Sequence, residues 1–274
     1  MMSLVMNLFL FLTGLTIGSF INAQVYRLAV KYKLVKEKFK NKNRTRSYCD
    51  GCGRQLKWWE NIPVVGWLFL AGKSKCCGKK LPVLYPIVEL VTGILFLETL
   101  NPKFEILNNI QYLNSNFQNI FLLGVSLVII GFLMFSLVFD LKYMILPDFS
   151  TVILVILALV YNWLGVGLRF ENLLLGIGLF AFFGFLHLIT KGKGMGFGDV
   201  KLVFFIGLFL GWPGSIVAMY LAFIIGAIVA IGLMMFGGYG KKSLLPFGPF
   251  LILGTVMAWW WTIPIWKIWL SVLY

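Results

Sequence analysis

The sequence predicts an all-α, polytopic membrane protein with about eight transmembrane helices. Three observations predict it. Hydrophobic types fill 60% of the 274 residues and charged types only 12%, against about 25% charged in an ordinary soluble domain. The mean hydropathy is +0.90. Apolar runs of roughly 20 residues recur along the chain, the length that crosses a bilayer as a helix. A soluble enzyme, a disordered chain and a disulfide-stapled secreted domain are excluded. So is an outer-membrane barrel, whose strands alternate in polarity.

Span 1 covers about Leu4 to Ala29. The opening MMSLVMNLFLFLTGLTIGSF has no basic segment before its apolar run, so it reads as a span and not as a cleavable signal. A polar, basic loop follows to Lys80. Span 2 runs from about Leu84 to Leu100, and an Asn/Gln-rich stretch leads to span 3, about Ile120 to Phe139. The segment Asp140 to Asp148 joins span 4, which ends near Gly165. Span 5 runs from about Leu173 to Thr190, and the Gly-rich KGKGMGFGDVK follows. Span 6, about Leu202 to Leu210, stops at Gly211-Trp212-Pro213-Gly214. As drawn it is too short for a hydrocarbon core of about 30 Å, so its helix should begin within the Gly-rich segment. Span 7 covers about Ile216 to Phe236 and span 8 about Phe247 to Ile265. This divides the chain into a first helix (1–30), a basic cytoplasmic domain with the cysteines (31–83), a membrane core (119–236) and a C-terminal helix segment (237–274).

Charge orients the spans. The net charge is +14, and 15 of the 24 basic residues lie between Arg27 and Lys80 with only 3 of the 10 acidic ones. An excess beside a span marks the cytoplasmic side and is drawn to anionic lipid headgroups. It is therefore assigned to topology and not to nucleic-acid binding. Eight spans with both termini outside put that loop inside, with Lys142, Lys191, Lys193, Lys201, Lys241 and Lys242. Lys103, Arg169 and Lys267 fall outside.

Ten carboxylates are available for chemistry. Asp140 ends the apolar SLVFD, and Asp199 sits in GMGFGDVK at the foot of span 6. Ionisable groups at membrane depth are costly and usually functional. Helix capping is the bland alternative, and it is the reading preferred for Asp148 after Pro147. Gly192, Gly194, Gly196 and Gly198 alternate just before Asp199, where an extended substrate could lie against bare backbone. The one histidine, His187, rules out a His-Glu-x-x-His metalloprotease. No nucleophile motif accompanies it, so it reads as a packed or interhelical hydrogen-bonding residue. Asp140 and Asp199 remain as the general acid/base pair, one activating water while the other protonates the carbonyl or leaving amine.

All four cysteines, Cys49, Cys52, Cys76 and Cys77, lie in the cytoplasmic loop, where disulfides are disfavoured. Two pairs at this separation point to a four-thiolate zinc knuckle, with free structural thiols as the alternative. The adjacency of Cys76 and Cys77 breaks the usual two-residue spacing.

Several segments together resemble the type IV prepilin peptidases, a family of bifunctional leader peptidases and N-methyltransferases. They are Gly18-Ser19-Phe20-Ile21-Asn22 with Tyr26-Arg27, Cys49-x-x-Cys52, Asn61-Ile62-Pro63, and Tyr85-Pro86-Ile87-Val88-Glu89-Leu90. Asp140-Leu141-Lys142, Leu146-Pro147-Asp148, Gly196-Phe197-Gly198-Asp199-Val200-Lys201 and Pro246-Phe247-Gly248-Pro249-Phe250 complete the set. The resemblance implies an aspartyl protease in the bacterial cytoplasmic (inner) membrane, active at its cytoplasmic face. Its partners would be prepilins or pseudopilins and the lipid bilayer. It would remove a basic leader after a Gly and methylate the new N-terminus with S-adenosylmethionine. The family's catalytic aspartates map onto Asp140 and Asp199, and its tetracysteine domain onto residues 49 to 77. Gly196, Phe197, Gly198 and Lys201 are expected to contact substrate. One departure stands out: Ser74-Lys75-Cys76-Cys77-Gly78 puts Ser where the family's second Cys-x-x-Cys pair begins.

Two competing readings use the same residues. Signal-peptide-peptidase and presenilin-type proteases share Gly-x-Gly-Asp but carry Tyr-Asp on the partner helix, where this chain has Phe139-Asp140. A proton-coupled transporter would place its carboxylates near mid-span, and here Asp140 and Asp199 sit at span ends.

Overall fold

A computed structural model describes residues 2–35, 47–49, 51–100, 116–165, 167, 169–192, 194–236 and 245–273. Lys103, Lys193, Lys241 and Lys242, used above as topology markers, lie outside them. Among the described residues the chain is helical, and its only β-type pairing is two isolated bridges, Tyr48 with Gln55 and Lys73 with Lys80. It forms two compact units, Met1–Asn101 and Pro102–Tyr274.

The first unit holds α1 (Met2–Lys31), a 3₁₀ turn (Trp58–Asn61), the short α2 (Val65–Phe69) and α3 (Leu84–Glu98). Helices α1 and α3 cross at very short range. A Cβ on Gly14 would lie 2.7 Å from Gly93 Cα, and one on Gly18 would lie 2.7 Å from Glu89 Cα. Only glycine lets two backbones approach so closely, and a small-xxx-small face is how apolar helices do it without a hydrophobic drive. One turn further, on the same face of α1, Asn22 Nδ2 donates to the Tyr85 carbonyl at 3.2 Å.

The second unit holds α4 (Asn116–Tyr143), α5 (Asp148–Gly165), α6 (Phe170–Ile189), α7 (Phe197–Phe236) and α8 (Gly248–Leu273). Helix α7 is the hub, packed against α5, α6 and α8. Phe139, Phe205, Ile129, Leu133, Leu202, Ile206 and Leu251 are wholly buried between these helices.

The eight sequence spans all fall on helix, and one of them, span 2, is shorter than a membrane crossing. Spans 6 and 7 are the two helical halves of α7, divided where the sequence stops span 6, by non-helical backbone at Gly211 and Trp212 just before Pro213. A break between apolar helices frees carbonyls that need another partner. Here Asn162 Nδ2 on α5 donates to the Leu208 carbonyl at 2.9 Å. Span 6 starts at Phe197, within the Gly-rich segment as its short apolar run required, which places Asp199 inside its first turn. Span 2 is the 15-residue α3, roughly 22 Å long and short of the hydrocarbon thickness.

Among the described residues, six segments are long and apolar enough to cross a membrane: Leu4–Lys31, Ile120–Tyr143, Asp148–Gly165, Phe170–Ile189, Phe197–Met235 and Gly248–Ile268. Only 11% of the most apolar window of Phe170–Ile189 is buried within the protein, so its apolar surface faces outward. In water such a surface would be a liability; in a bilayer it is the solvated face. The chain is an integral membrane protein.

Candidate active site

Three helix ends build the site of the second unit. Asp140 lies one turn before the end of α4. Asp199 is the third residue of α7, and Gly248 is the first of α8. Asp140 and Asp199 are 4% and 8% exposed, flanked by the wholly buried Val138, Phe139, Val200 and Leu202.

The two carboxylates converge on one point beside Gly248. A methyl group built there would collide with Asp140 Oδ2 and would touch Asp199 Oδ1 at 3.2 Å. The two oxygens are thus separated by no more than two contact distances. A pair 59 residues apart in sequence is brought together by helix packing alone. Asp199 Oδ2 accepts the backbone N–H of Gly196 at 3.3 Å. This is the backward half of a capping box, with the third helical residue reaching back to the residue before the helix. It fixes the carboxylate and leaves Oδ1 toward the partner. Asp140 Oδ2 is buried and has no hydrogen-bond partner among the described residues. A buried acceptor of this kind is rare unless a ligand or water supplies the donor. Capping therefore explains one oxygen of Asp199 and nothing of Asp140, which sits near a helix C-terminus.

The other residues singled out in the sequence have individual places. Gly198 packs against Leu146, where a Cβ would meet Leu146 Cβ at 2.9 Å. Phe197 is half-exposed and rests against His187 and Phe180 at ring-centroid distances of 5.6 and 6.5 Å. Lys201 Nζ donates to Asp148 Oδ1 at 2.7 Å and lies 4.8 Å from the Phe197 ring centroid. His187 Nδ1 is 2.8 Å from the Met195 carbonyl, so the single histidine ties the Gly-rich turn to α6. The alternating glycines do not form a strand: Gly192 takes a left-handed turn at φ 73°, Gly194 lies in a bend and Gly198 is helical.

A second cluster lies in the first unit. The sulfurs of Cys49, Cys52, Cys76 and Cys77 all lie within 4.8 Å of one another. Tetrahedral zinc with bonds of about 2.3 Å needs sulfurs roughly 3.8 Å apart. The spacing defect does not scatter the ligands, and the reason is visible in two matching turns. Cys49 N–H donates to the Arg54 carbonyl at 2.8 Å, and Ser74 N–H to the Lys79 carbonyl at 2.8 Å. Gly53 N–H returns to Cys49 O at 2.9 Å, and Gly78 N–H to Ser74 O at 2.8 Å. Gly53 and Gly78 hold φ of 73° and 67°. Ser74 is therefore the geometric counterpart of Cys49, and Cys77 that of Cys52. The displaced Cys76 occupies the place of Gly51 and still turns its sulfur inward. Ser74 Oγ is 3.1 Å from both Cys49 Sγ and Cys76 Sγ.

These thiols fit a soft divalent cation. Burial pushes Cys49 up, but the Ser74 hydroxyl and the amides of Cys52 and Gly51 outweigh it and hold the thiol at about 6. The neighbouring Cys76 sulfur pushes Cys52 up to about 12. Four adjacent thiols cannot all ionise alone, and a bound cation is what lets them.

The sequence reading assigned no role to three groups. Gly248 stands in the quoted Pro246-Phe247-Gly248-Pro249-Phe250 motif, but a close approach cannot be read from a motif. Glu89 is a carboxylate inside an apolar stretch, the same signal that marked Asp140, and it is 7% exposed. Asn162 gave no signal, because its task depends on α5 packing beside the break in α7.

Comparison with known proteins follows the same division. Two family models match: "Bacterial Peptidase A24 N-terminal domain" over residues 12–101 and "Type IV leader peptidase family" over residues 127–231. Among curated relatives, a prepilin leader peptidase/N-methyltransferase of Aeromonas hydrophila is 30% identical, covering 92% of this chain and 89% of the relative. One of Legionella pneumophila is 30% identical over 95% and 91%. One of Pseudomonas aeruginosa is 29% identical over 91% and 88%. No solved structure matches.

Proposed function

The chain belongs to the type IV leader peptidase family, and from that premise we propose that it cleaves the leader of type IV prepilins or pseudopilins and N-methylates the new N-terminus. The observation that carries the peptidase half is the convergence of Asp140 and Asp199 at Gly248. Two carboxylates at this range supply complementary acid/base chemistry. The ionised one takes a proton from water as it attacks the scissile carbonyl. The protonated one gives its proton to the carbonyl oxygen and later to the leaving amine. Gly196, Phe197, Gly198 and Lys201 border the pair. Gly196 and Gly198 act through backbone and packing, and Phe197 and Lys201 through side chains that substrate can reach.

In this reading the Asp pair opens on the cytoplasmic face of a bacterial inner membrane, and the basic loop lies on the same side. S-adenosylmethionine is the methyl donor. Zinc is the ion held by Cys49, Cys52, Cys76 and Cys77, and it organises the two turns that carry them.

The test is cleavage of a purified prepilin by Asp140→Asn and Asp199→Asn proteins. Each substitution keeps shape and removes the acid/base function. Each should lower the rate by a thousandfold or more, about 4 kcal/mol of transition-state stabilisation, while the protein still inserts and melts normally. Turnover within tenfold of wild type in either variant would sink the aspartyl mechanism.

A further inference from the structure

The first unit contains a cleft of about 180 Å³ lined by groups from α1, the cysteine-bearing segment and α3. Its lining residues all belong to the first unit, and they include polar atoms with no partner among the described residues. Asn22 is 8% exposed. Its Nδ2 is used by the Tyr85 carbonyl, but its Oδ1 is buried with no partner among the described residues. Trp67 Nε1 is likewise buried with no partner among those residues. One is an orphan acceptor and the other an orphan donor, and both residues line the same cleft. Buried polar atoms of this kind call for a ligand or ordered water.

Glu89 also lines the cleft. Its Oε2 accepts the Val64 N–H at 2.7 Å, and Val64 sits at φ 60°, a conformation a β-branched residue seldom takes. Backbone outliers of this kind collect at ligand clamps. Arg27 brings positive charge to the same lining. The cleft thus presents both signs of charge, an orphan donor, an orphan acceptor and aromatic rings.

We propose that this cleft binds the aminoacyl–sulfonium end of S-adenosylmethionine, through Glu89, Asn22, Trp67 and Arg27. The proposal rests on the reading that the chain N-methylates its product. That end of the donor is a zwitterion beside a cationic sulfur, and it needs a carboxylate, a guanidinium and neutral hydrogen-bonding groups together. The adenine end needs no paired charges. Size agrees: pockets that enclose a drug-sized molecule run from about 300 Å³ upward, so this cleft takes one end of the donor and leaves the adenosine in its mouth.

The experiment is calorimetric titration of full-length protein in detergent with S-adenosylhomocysteine and with 5′-methylthioadenosine, which lacks the aminoacyl end. The variants are Glu89→Gln, Asn22→Leu and Trp67→Phe, with the exposed Trp58→Phe as control. Mass spectrometry of the cleaved pilin gives the methylation state alongside. Wild type should bind the homocysteine compound at least tenfold more tightly than methylthioadenosine. Glu89→Gln and Asn22→Leu should each lose tenfold or more of that affinity, Trp67→Phe about threefold, and the control nothing. Gln keeps an acceptor for the Val64 N–H, so the fold should survive. If Glu89→Gln does not fold, the Asn22 and Trp67 variants decide. Equal affinity for the two compounds, or variants within twofold of wild type while wild type methylates its product, would overturn the site and leave the N-methylation reading standing. A wild-type protein that cleaves but neither binds the compounds nor methylates would overturn both.

Discussion

The Asp pair and the Cys cluster concentrate reactive groups by opposite means. At the Asp pair, long helices do the positioning. Asp140 and Asp199 are far apart in sequence, belong to α4 and α7, and meet because apolar side chains such as Phe139 and Leu202 are wholly buried around them. At the Cys cluster, two short turns do it, through local backbone hydrogen bonds and left-handed glycines. The first arrangement is held by packing and tolerates little change of volume. The second has little core, and a metal is the natural replacement for one. The lesson is that damage to each should look different: steric substitutions should disable the Asp pair, and ligand loss should unfold the turns.

The largest effect expected from this contrast is at Gly248. It has no acid/base function, yet a Cβ there would strike Asp140 and crowd Asp199. Gly248→Val should lower prepilin cleavage a hundredfold or more, about 2.7 kcal/mol, with binding of the methyl donor unchanged. Gly248→Ala should fall between Val and wild type. Near-normal cleavage in the Val variant would show that the carboxylates are not held by packing.

A smaller effect, in metal content, sharpens the other half. Ser74 is the geometric counterpart of Cys49, and Cys76 supplies its sulfur from an irregular position. Cys76→Ser should lower zinc affinity by ten- to a hundredfold, read by competition with a chromogenic chelator. Ser74→Cys combined with Cys76→Ser should restore it, because the thiol then sits where the turn geometry places a ligand. Failure of that double variant to recover zinc would mean that the two turns are not equivalent. Less than a tenth of an equivalent of zinc in wild type would retire the metal altogether.

The same contrast accounts for what could be read in advance. The helical class and the span positions were legible because hydropathy over 20 residues is a strong signal. The Asp pair was legible by chemistry, since one histidine left few alternatives and carboxylates are costly in apolar stretches. The cysteines were legible by spacing, and the spacing defect was legible too. What it left open was whether Cys76 still points inward, which depends on the turn about Gly78. Gly248, Asn22 and Asn162 were not legible as parts of a site. Each acts through an approach between distant helices, and a single sequence carries the residues of such an approach without its geometry. The length of α3 escaped for a related reason. Apolar composition marks what lipid or core will accept, and not where a helix ends.

The smallest expected effect is at Lys201, where the two regions can be compared, since each sets a lysine beside an aromatic ring. Lys75 Nζ lies 4.6 Å from the Trp59 ring centroid near the Cys cluster, and Lys201 Nζ lies 4.8 Å from that of Phe197 at the Asp pair. Lys201 also pairs with Asp148, whose side chain is 74% exposed, and such surface pairs contribute about 0–1 kcal/mol. Lys201→Ala should therefore barely change the melting temperature. If Lys201 also meets the substrate, its loss removes binding that is the same in ground and transition states, which raises KM and spares kcat. A three- to tenfold rise in KM with kcat within twofold is the expected result for cleavage. Lys75→Ala should leave both constants alone, because the proposed mechanism gives the Cys cluster no part in peptide cleavage. Unchanged KM in Lys201→Ala would reduce that lysine to a surface ion pair and confine substrate contact to Phe197 and the backbone before Asp199. A fall in kcat instead would mean that Lys201, through Asp148 or the first turn of α7, positions the carboxylate itself.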